Sequence, residues 1–278
     1  MTGPGRGPGS SGGGRRRPPP LRAEVLRSAR VTPNLVRVTV GGAALDSFNF
    51  PGPASHFKLM LPPPGQHEVD LPEPGEDGLV AFDRASPLVM RTYTARRFDR
   101  QARELDIEVV LHGDGPAAHW AADATPGSRI AVSSPRSSGF ARPADARWLL
   151  LGGDTSAMPA LATILEIGPG AATTCLIELS DPSEQINLPA PQGCKVEWLV
   201  RDPSAEPGSA LLDRLRSAAL PPTPGFVWIA AEASCIRAAR RHLLTERGLD
   251  RHHVVTRGYW RAGAVNHPDH DFGDDQLG

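Results

Sequence analysis

The chain has 278 residues and a formal net charge of −1, enough for two cored domains and without the overall charge that draws a protein to nucleic acid. Its three cysteines, Cys175, Cys194 and Cys235, form no C-x-x-C pair and are too few for a four-cysteine iron–sulfur cluster, so no metal site is expected and unpaired buried thiols are read as small hydrophobes in a reducing cytoplasm. No apolar run reaches membrane-spanning length, and Arg15-Arg16-Arg17 leads into three prolines instead of the apolar core of a signal peptide, so no membrane attachment is expected.

In chain order, residues 1–20 are Gly, Pro, Ser and Arg with almost nothing to bury, and read as a disordered basic arm. Strand-like runs follow at 21–31 and 35–40, separated by the turn signal Thr32-Pro33-Asn34, and again at 56–61. Residues 62–80, rich in Pro, Gly and Glu, read as a long surface loop. Further strands are expected at 89–97, 104–111 and 129–133. Short strands at close spacing suggest an antiparallel β-barrel over residues 21–143. From Trp148 the pattern changes to fully apolar strands alternating with helices. Strands are expected at 148–151, 174–179, 196–200 and 226–230, and helices up to Glu166, at 209–220 and at 233–247. That alternation predicts a parallel α/β sheet over residues 144–263. The last ordered run ends at Gly263, and residues 264–278 read as a disordered acidic tail whose two histidines are solvated.

Three stretches carry chemistry. In the strand at 89–97, Arg91 and Tyr93 should share one face while Thr92 and Thr94 point to the other. A guanidinium fork suits phosphate, a flat ring suits a heterocycle and a hydroxyl suits a polar edge, which together describe a flavin nucleotide. A surface strand with an Arg-Tyr stack is the plain alternative. Next, His112-Gly113-Asp114-Gly115-Pro116-Ala117-Ala118 runs from a strand into a short helix, either an anion site or a simple strand-to-helix turn. Third, Gly153-Asp154-Thr155-Ser156 sits at the carboxyl end of the first parallel strand, where open α/β sheets bind ligands, though Asp154 also suits a helix cap. No G-x-G-x-x-G is present.

These stretches, with Trp228-Ile229-Ala230-Ala231-Glu232 and Gly258-Tyr259-Trp260-Arg261-Ala262-Gly263, resemble the siderophore-interacting proteins, FAD-dependent ferric-siderophore reductases of the ferredoxin-reductase-like superfamily. The resemblance spans residues 21–263. It implies that Arg91, Thr92, Tyr93 and Thr94 hold the FAD ring and phosphates. It implies a pyrophosphate cradle from Val110 through His112, Gly113 and Pro116 to Ala117 and Ala118. Gly153, Asp154, Thr155 and Trp260 are implied as further cofactor contacts. Lys58, Arg136, Arg257 and Arg261 are the basic residues it places toward an anionic ferric siderophore. Thr155 stands where the family usually has an acidic residue, and Ser134-Pro135-Arg136-Ser137 replaces the usual Gly-Pro-Arg-Gly. The implied activity is reduction of Fe(III) to Fe(II) through FAD, with NADH or NADPH as donor and a ferredoxin as a further candidate. No general acid or base is needed, and a cytoplasmic monomer is expected. A general flavin reductase or diaphorase, and a non-catalytic flavoprotein binding an iron chelate, remain open on the same scaffold. Tyr259 and Trp260, if extended, should face opposite ways, and Arg257 and Arg261 should share a face.

Overall fold

The computed structural model describes residues 16–264 except 64, 67, 83–87, 114 and 169. Its elements in chain order are β1 (Arg16–Arg17), β2 (Leu21–Thr32), β3 (Leu35–Gly41), β4 (His56–Leu61), β5 (Val80–Ala81), β6 (Val89–Thr94), β7 (Arg97–Asp99), β8 (Glu104–Val110), α1 (Pro116–Ala122) and β9 (Arg129–Val132). There follow β10 (Trp148–Gly153), α2 (Met158–Glu166), β11 (Ala172–Leu179), β12 (Cys194–Val200), α3 (Ser209–Arg216), β13 (Gly225–Glu232), α4 (Ala233–Arg241) and β14 (Val254–Trp260).

The first half forms an antiparallel seven-stranded sheet in the order β6-β4-β9-β2-β3-β8-β7. It curls so that β6 comes beside β8 without a strand ladder closing it. Alternating apolar residues such as Val36, Val38, Val40, Leu59, Leu61, Leu105, Ile107 and Val109 fill its interior, and α1 plugs it with Ala117 and Ala121. The expected single strand at 89–97 is divided. β6 ends at Thr94, because Ala95 N–H turns to Ser55 O (2.9 Å) and Arg96 N–H to Asp106 O (3.0 Å), and the chain crosses from β4 to β8. Two expectations change at the periphery. Arg16–Arg17 pair with Val80–Ala81, so ordered backbone starts ahead of Leu21. The 62–80 stretch buries Val69 and Leu71 against Met60 and Ala131, which gives the loop a small core of its own. Residues 1–15 and the tail beyond Ala264 lie outside the described residues.

The second half is a five-stranded parallel sheet in the order β12-β11-β10-β13-β14. β10 and β13 lie centrally and every residue in both is buried, as expected for strands covered on both faces. Trp148 sits opposite Gly225, where an added Cβ would lie 2.0 Å from the indole. Two helices are shorter than the pattern suggested: α3 stops at Arg216, and α4 gives way at His242–Glu246 to a π-turn before Gly248. Cys175 and Cys235 are buried, Cys194 is half-buried, and all three are free. No helix among the described residues is long and apolar enough to cross a membrane.

The halves share a core. Leu35, Ala54 and Phe140 pack with residues of α2, β10 and β13. Trp228 Nε1 donates to Gly139 O (2.9 Å), and Ala54 N–H donates to Thr163 Oγ1 (2.9 Å). Arg96 forks onto Glu166 at 2.7 and 3.1 Å. The two sheets are thus held at a fixed angle, and a cleft opens between them.

Candidate functional site

The cleft has a volume of about 560 Å³. Its walls are β6, the segment from β8 into α1, and the end of β14 with the turn beyond it. On β6, all of Arg91, Thr92, Tyr93 and Thr94 line it, even though strand alternation would turn alternate residues away. This is an edge strand of the sheet whose Tyr93 also packs on the barrel core, so the cleft borders it along its unpaired edge. Arg91 Nη1 donates to its neighbour's carbonyl, Met90 O, at 2.9 Å, which fixes the guanidinium near the backbone. Lys58 Nζ donates to Thr92 Oγ1 at 2.8 Å. Burial pushes the Tyr93 hydroxyl well above its ordinary pKa, so the ring stays neutral.

The end of β14 departs from simple alternation. Ala231 pairs with Gly258 and Glu232 with Trp260, so Tyr259 is an extra residue in a bulge. The expected opposed faces of Tyr259 and Trp260 are therefore not found: both rings reach the cleft. Tyr259 is pushed up to about 12 by burial, opposed by its hydrogen bond with Thr94. The Trp260 indole spans the cleft. Its ring lies 5.8 Å from His112 at a tilt of 36°, and its Nε1 donates to Asp154 Oδ2 at 2.7 Å.

Asp154 is the hub beneath this wall. Its Oδ1 accepts from Ser156 N (2.9 Å) and Ser156 Oγ (2.5 Å), and its Oδ2 from Glu232 N (3.1 Å) as well as from Trp260. Burial raises its pKa, and the bonds from Ser156 and Trp260 pull the other way. Glu232 acts in parallel: Oε2 caps the start of α4 through Ser234 and Cys235 N–H, and Oε1 accepts from Ala262 N (3.3 Å). Two carboxylates at the carboxyl edge of the parallel sheet thus hold the Gly258–Gly263 segment over the cleft.

Of the residues singled out from the sequence, Arg91 to Thr94, Val110, His112, Gly113, Pro116, Ala117, Ala118, Trp260, Arg257 and Arg261 line the cleft. Gly153, Asp154 and Thr155 do not; Ser156 and Pro159 line it in their place. Gly153 is glycine for packing, since a Cβ there would lie 2.5 Å from Ala157 Cβ and 2.7 Å from Ala230 O. Lys58 and Arg136 are also outside the lining, Arg136 on an exposed loop and Lys58 directly opposite Thr92 in the β4–β6 pairing. Arg257 and Arg261 both border the cleft but at different depths. Arg257 is half-buried, and burial lowers its pKa; Arg261 is exposed past the strand end. Sequence reasoning passed over His56 and Glu108, which also line the cleft. Glu108 was legible only as one polar position in an alternating strand.

These residues fit a flavin dinucleotide. The wall carries a flat ring, a guanidinium and hydroxyls. At Gly113 (φ 55°) and Gly115 a Cβ would meet no atom within 4 Å, which leaves a cradle for phosphate oxygens beside the backbone.

An antiparallel barrel-like sheet joined to a parallel α/β sheet, with a cleft between them, defines the ferredoxin-reductase-like fold. Residues 24–139 match the siderophore-interacting FAD-binding domain, and residues 146–263 match the siderophore-interacting protein model. The chain belongs to the siderophore-interacting protein family. It is 32% identical over 252 residues to the ferric vibriobactin reductase of Vibrio cholerae, covering 88% of this chain and 90% of that protein. It is 32% identical over 242 residues to the NADPH-dependent ferric-chelate reductase of Escherichia coli, covering 86% of this chain and 91% of that one. A siderophore utilization protein from T. fusca has a superimposable structure, with a TM-score of 0.80, 38% identity, and coverage of 92% and 96% of the two chains.

Proposed function

We propose that the chain reduces Fe(III) held by a siderophore, takes its electrons from NADH or NADPH through FAD, and releases iron as Fe(II) in the cytoplasm. The observation that carries this reading is the cleft itself: Arg91, Tyr93 and Thr94 on one wall, with Trp260, Arg257 and Arg261 on the facing one. The names of the Vibrio and Escherichia relatives support ferric-chelate reduction, and the second supports NADPH as donor. A reduced ferredoxin is the alternative donor.

When bound, FAD accepts electrons in pairs and passes them on singly, which suits a one-electron metal. The chain's part is to bind, orient and exclude water. Arg91 neutralises phosphate with a forked donor pair. Gly113, with the backbone from Val110 through His112 and Pro116 to Ala118, leaves room for the pyrophosphate. Tyr93 supports the ring plane, and Thr92 and Thr94 offer hydroxyls at its polar edge. Trp260 covers the cleft. Asp154 positions Trp260 instead of touching the nucleotide, while Gly153 and Thr155 shape the turn that presents Asp154. Arg257 and Arg261 attract the anionic chelate; Arg136 stays on an exposed loop outside the lining, and Lys58 reaches the cleft only through its bond to Thr92. No side chain need transfer a proton to the metal: hard oxygen ligands hold Fe(III) much more tightly than Fe(II), so reduction alone loosens it. One protomer supplies both walls, consistent with a monomer, and the lobes divide near residues 142–144.

The test is anaerobic spectroscopy of the FAD-loaded protein. NADPH or NADH should bleach the flavin band, and a ferric siderophore should restore it while a ferrous trap colours in step. A protein that takes up no FAD, or a bleached protein whose colour ferric chelate leaves unchanged, would refute the proposal.

A further inference from the structure

Ser156 lies in the turn between β10 and α2, is half-buried, and lines the cleft on the parallel-sheet side. Its side chain is only Cβ and Oγ, so the hydroxyl is the one polar group it can offer there. That hydroxyl donates to Asp154 Oδ1 at 2.5 Å, and the Ser156 N–H reaches the same oxygen at 2.9 Å. The remaining donors to Asp154, Glu232 N and Trp260 Nε1, are N–H groups that can only give a proton. The carboxylate therefore accepts on every side, and the Ser156 hydrogen is committed to it. A hydroxyl oxygen in that state keeps its lone pairs, so Ser156 Oγ is an acceptor whose direction is fixed. Its polar neighbours on this wall have other partners. Arg257 Nη1 donates to Thr256 O, Trp228 Nε1 to Gly139 O, and the Tyr259 hydroxyl bonds with Thr94. A ligand that meets this wall at Ser156 should bring an N–H or O–H.

Topology says which ligand that is. β10 and β13 are neighbours although β11 and β12 come between them in the chain, so the strand order reverses at this point. The crevice beyond the carboxyl ends of the strands, at such a reversal, is where open α/β sheets bind nucleotides. Ser156 stands in it, just past the end of β10. The phosphate-type groups, Arg91 and Gly113, lie on the barrel side of the same cleft. A nicotinamide donor that enters over the parallel sheet thus brings its ring between Ser156 and the flavin wall. That ring carries one hydrogen-bond donor, the amide at C3. Beside Ser156 the Trp260 indole, held by the other oxygen of the same carboxylate, provides a flat border. We infer that Ser156 Oγ accepts a hydrogen bond from the carboxamide N–H of the nicotinamide donor, with Asp154 as the positioning residue that aims the hydroxyl. This rests on the reading of NADH or NADPH as donor. The two edges of a nicotinamide ring differ only by the amide, so the contact decides which face of the ring turns to the flavin.

The probe is the 3-acetylpyridine analogue of the nucleotide, in which a methyl ketone replaces the amide and its N–H donors. Dissociation constants of the oxidised nucleotide and of this analogue are measured by calorimetry on the FAD-loaded, oxidised protein, where no electron transfer follows binding. The NAD+ or the NADP+ series is used, whichever wild type binds more tightly. Wild type should prefer the natural nucleotide by about fivefold, the size of one net hydrogen bond. In Ser156→Ala the two should bind within about twofold of each other, because the acceptor is gone. Ser156→Thr keeps the hydroxyl and should keep the preference. Should the Ala variant fail to fold, Ser156→Cys decides, since a thiol is a weak acceptor and the preference should again fall to about twofold or less. FAD affinity of Ser156→Ala should stay within about threefold of wild type. A larger loss would set the oxygen against the flavin and overturn the inference. An equal preference in wild type and Ser156→Ala, or one in Ser156→Thr no larger than in Ser156→Ala, overturns it as well. Wild type that takes up FAD but binds neither nucleotide, and is bleached by neither NADH nor NADPH, overturns the nicotinamide donor of the functional reading instead.

Discussion

Replacing Trp260 by Phe keeps a ring over the cleft but removes one donor, so it isolates the bond to Asp154. That bond is short, 2.7 Å, and its acceptor is a buried carboxylate with three other donors. Hydrogen bonds to charged groups contribute about 1.5–3 kcal/mol, and Trp260 is only half-buried, so water recovers part of the loss; a destabilisation of about 1–2 kcal/mol is expected. Asp154→Asn removes the charge and weakens the whole hub. The two changes touch one bond, so their effects should not add: a coupling of about 1 kcal/mol is expected in the double-mutant cycle. The dependence on pH has a definite sign. Burial raises the folded pKa of Asp154, so its contribution favours folding below the unfolded value and is lost as pH rises through the folded one. The Trp260 bond offsets this loss by supporting the ionised form. The penalty of Trp260→Phe should therefore be full above the folded pKa and fade as pH falls below it. Urea titrations of wild type, both single variants and the double variant, at neutral and acid pH, give all these quantities. Additivity within about 0.3–0.5 kcal/mol at neutral pH would show that the bond contributes nothing specific.

Arg91→Ala should weaken FAD binding by about ten- to a hundredfold, with partial rescue by Lys, because a forked charge-assisted contact is lost; unchanged occupancy in the Ala variant would refute the role. Arg261→Glu, at an exposed position, should leave folding and FAD binding intact yet slow oxidation of the bleached protein by an anionic ferric chelate in stopped flow. The difference should shrink as salt rises, since the wild-type attraction is screened. Gly153→Ala should cost about 1–3 kcal/mol in denaturant unfolding, because the new Cβ falls within 2.5 Å of Ala157 Cβ. Glu197 is held down to about 2 by Arg214 and Lys195, so its support for the fold is present above its unfolded value and is lost as pH falls toward 2. Arg214→Met should remove that part of the acid dependence, visible as a flatter stability curve between pH 5 and 3 by about 1 kcal/mol after solvent screening.

Local information went far in this chain. Alternation of apolar residues placed the barrel strands, unbroken apolar runs placed β10 and β13, and Pro116 marked the start of α1, because these patterns depend on neighbours within a few residues. Arg91, Tyr93 and the glycines after β8 stood out by residue type, and the structure brings them to one cleft. What the sequence left undetermined depends on pairings between distant segments. The strand at 89–97 breaks at Thr94 because Ala95 and Arg96 find backbone partners on other strands, not because of any local turn signal. The bulge at Tyr259 follows from the register with β13, and it carries both aromatic rings to one side against the rule of alternation. Asp154 reads as a helix cap, and it is one; that it also grips an indole 106 residues later was decided by the parallel sheet bringing the ends of β10, β13 and β14 together. Glu108 shows the same division most sharply. In an alternating strand it is one more polar position, and only the pairing of β8 with β3 and the nearby Arg96 surround its carboxylate with two guanidinium groups and bury it. Burial and electrostatic environment come from everything that surrounds a residue in space, so they are properties of the assembled fold.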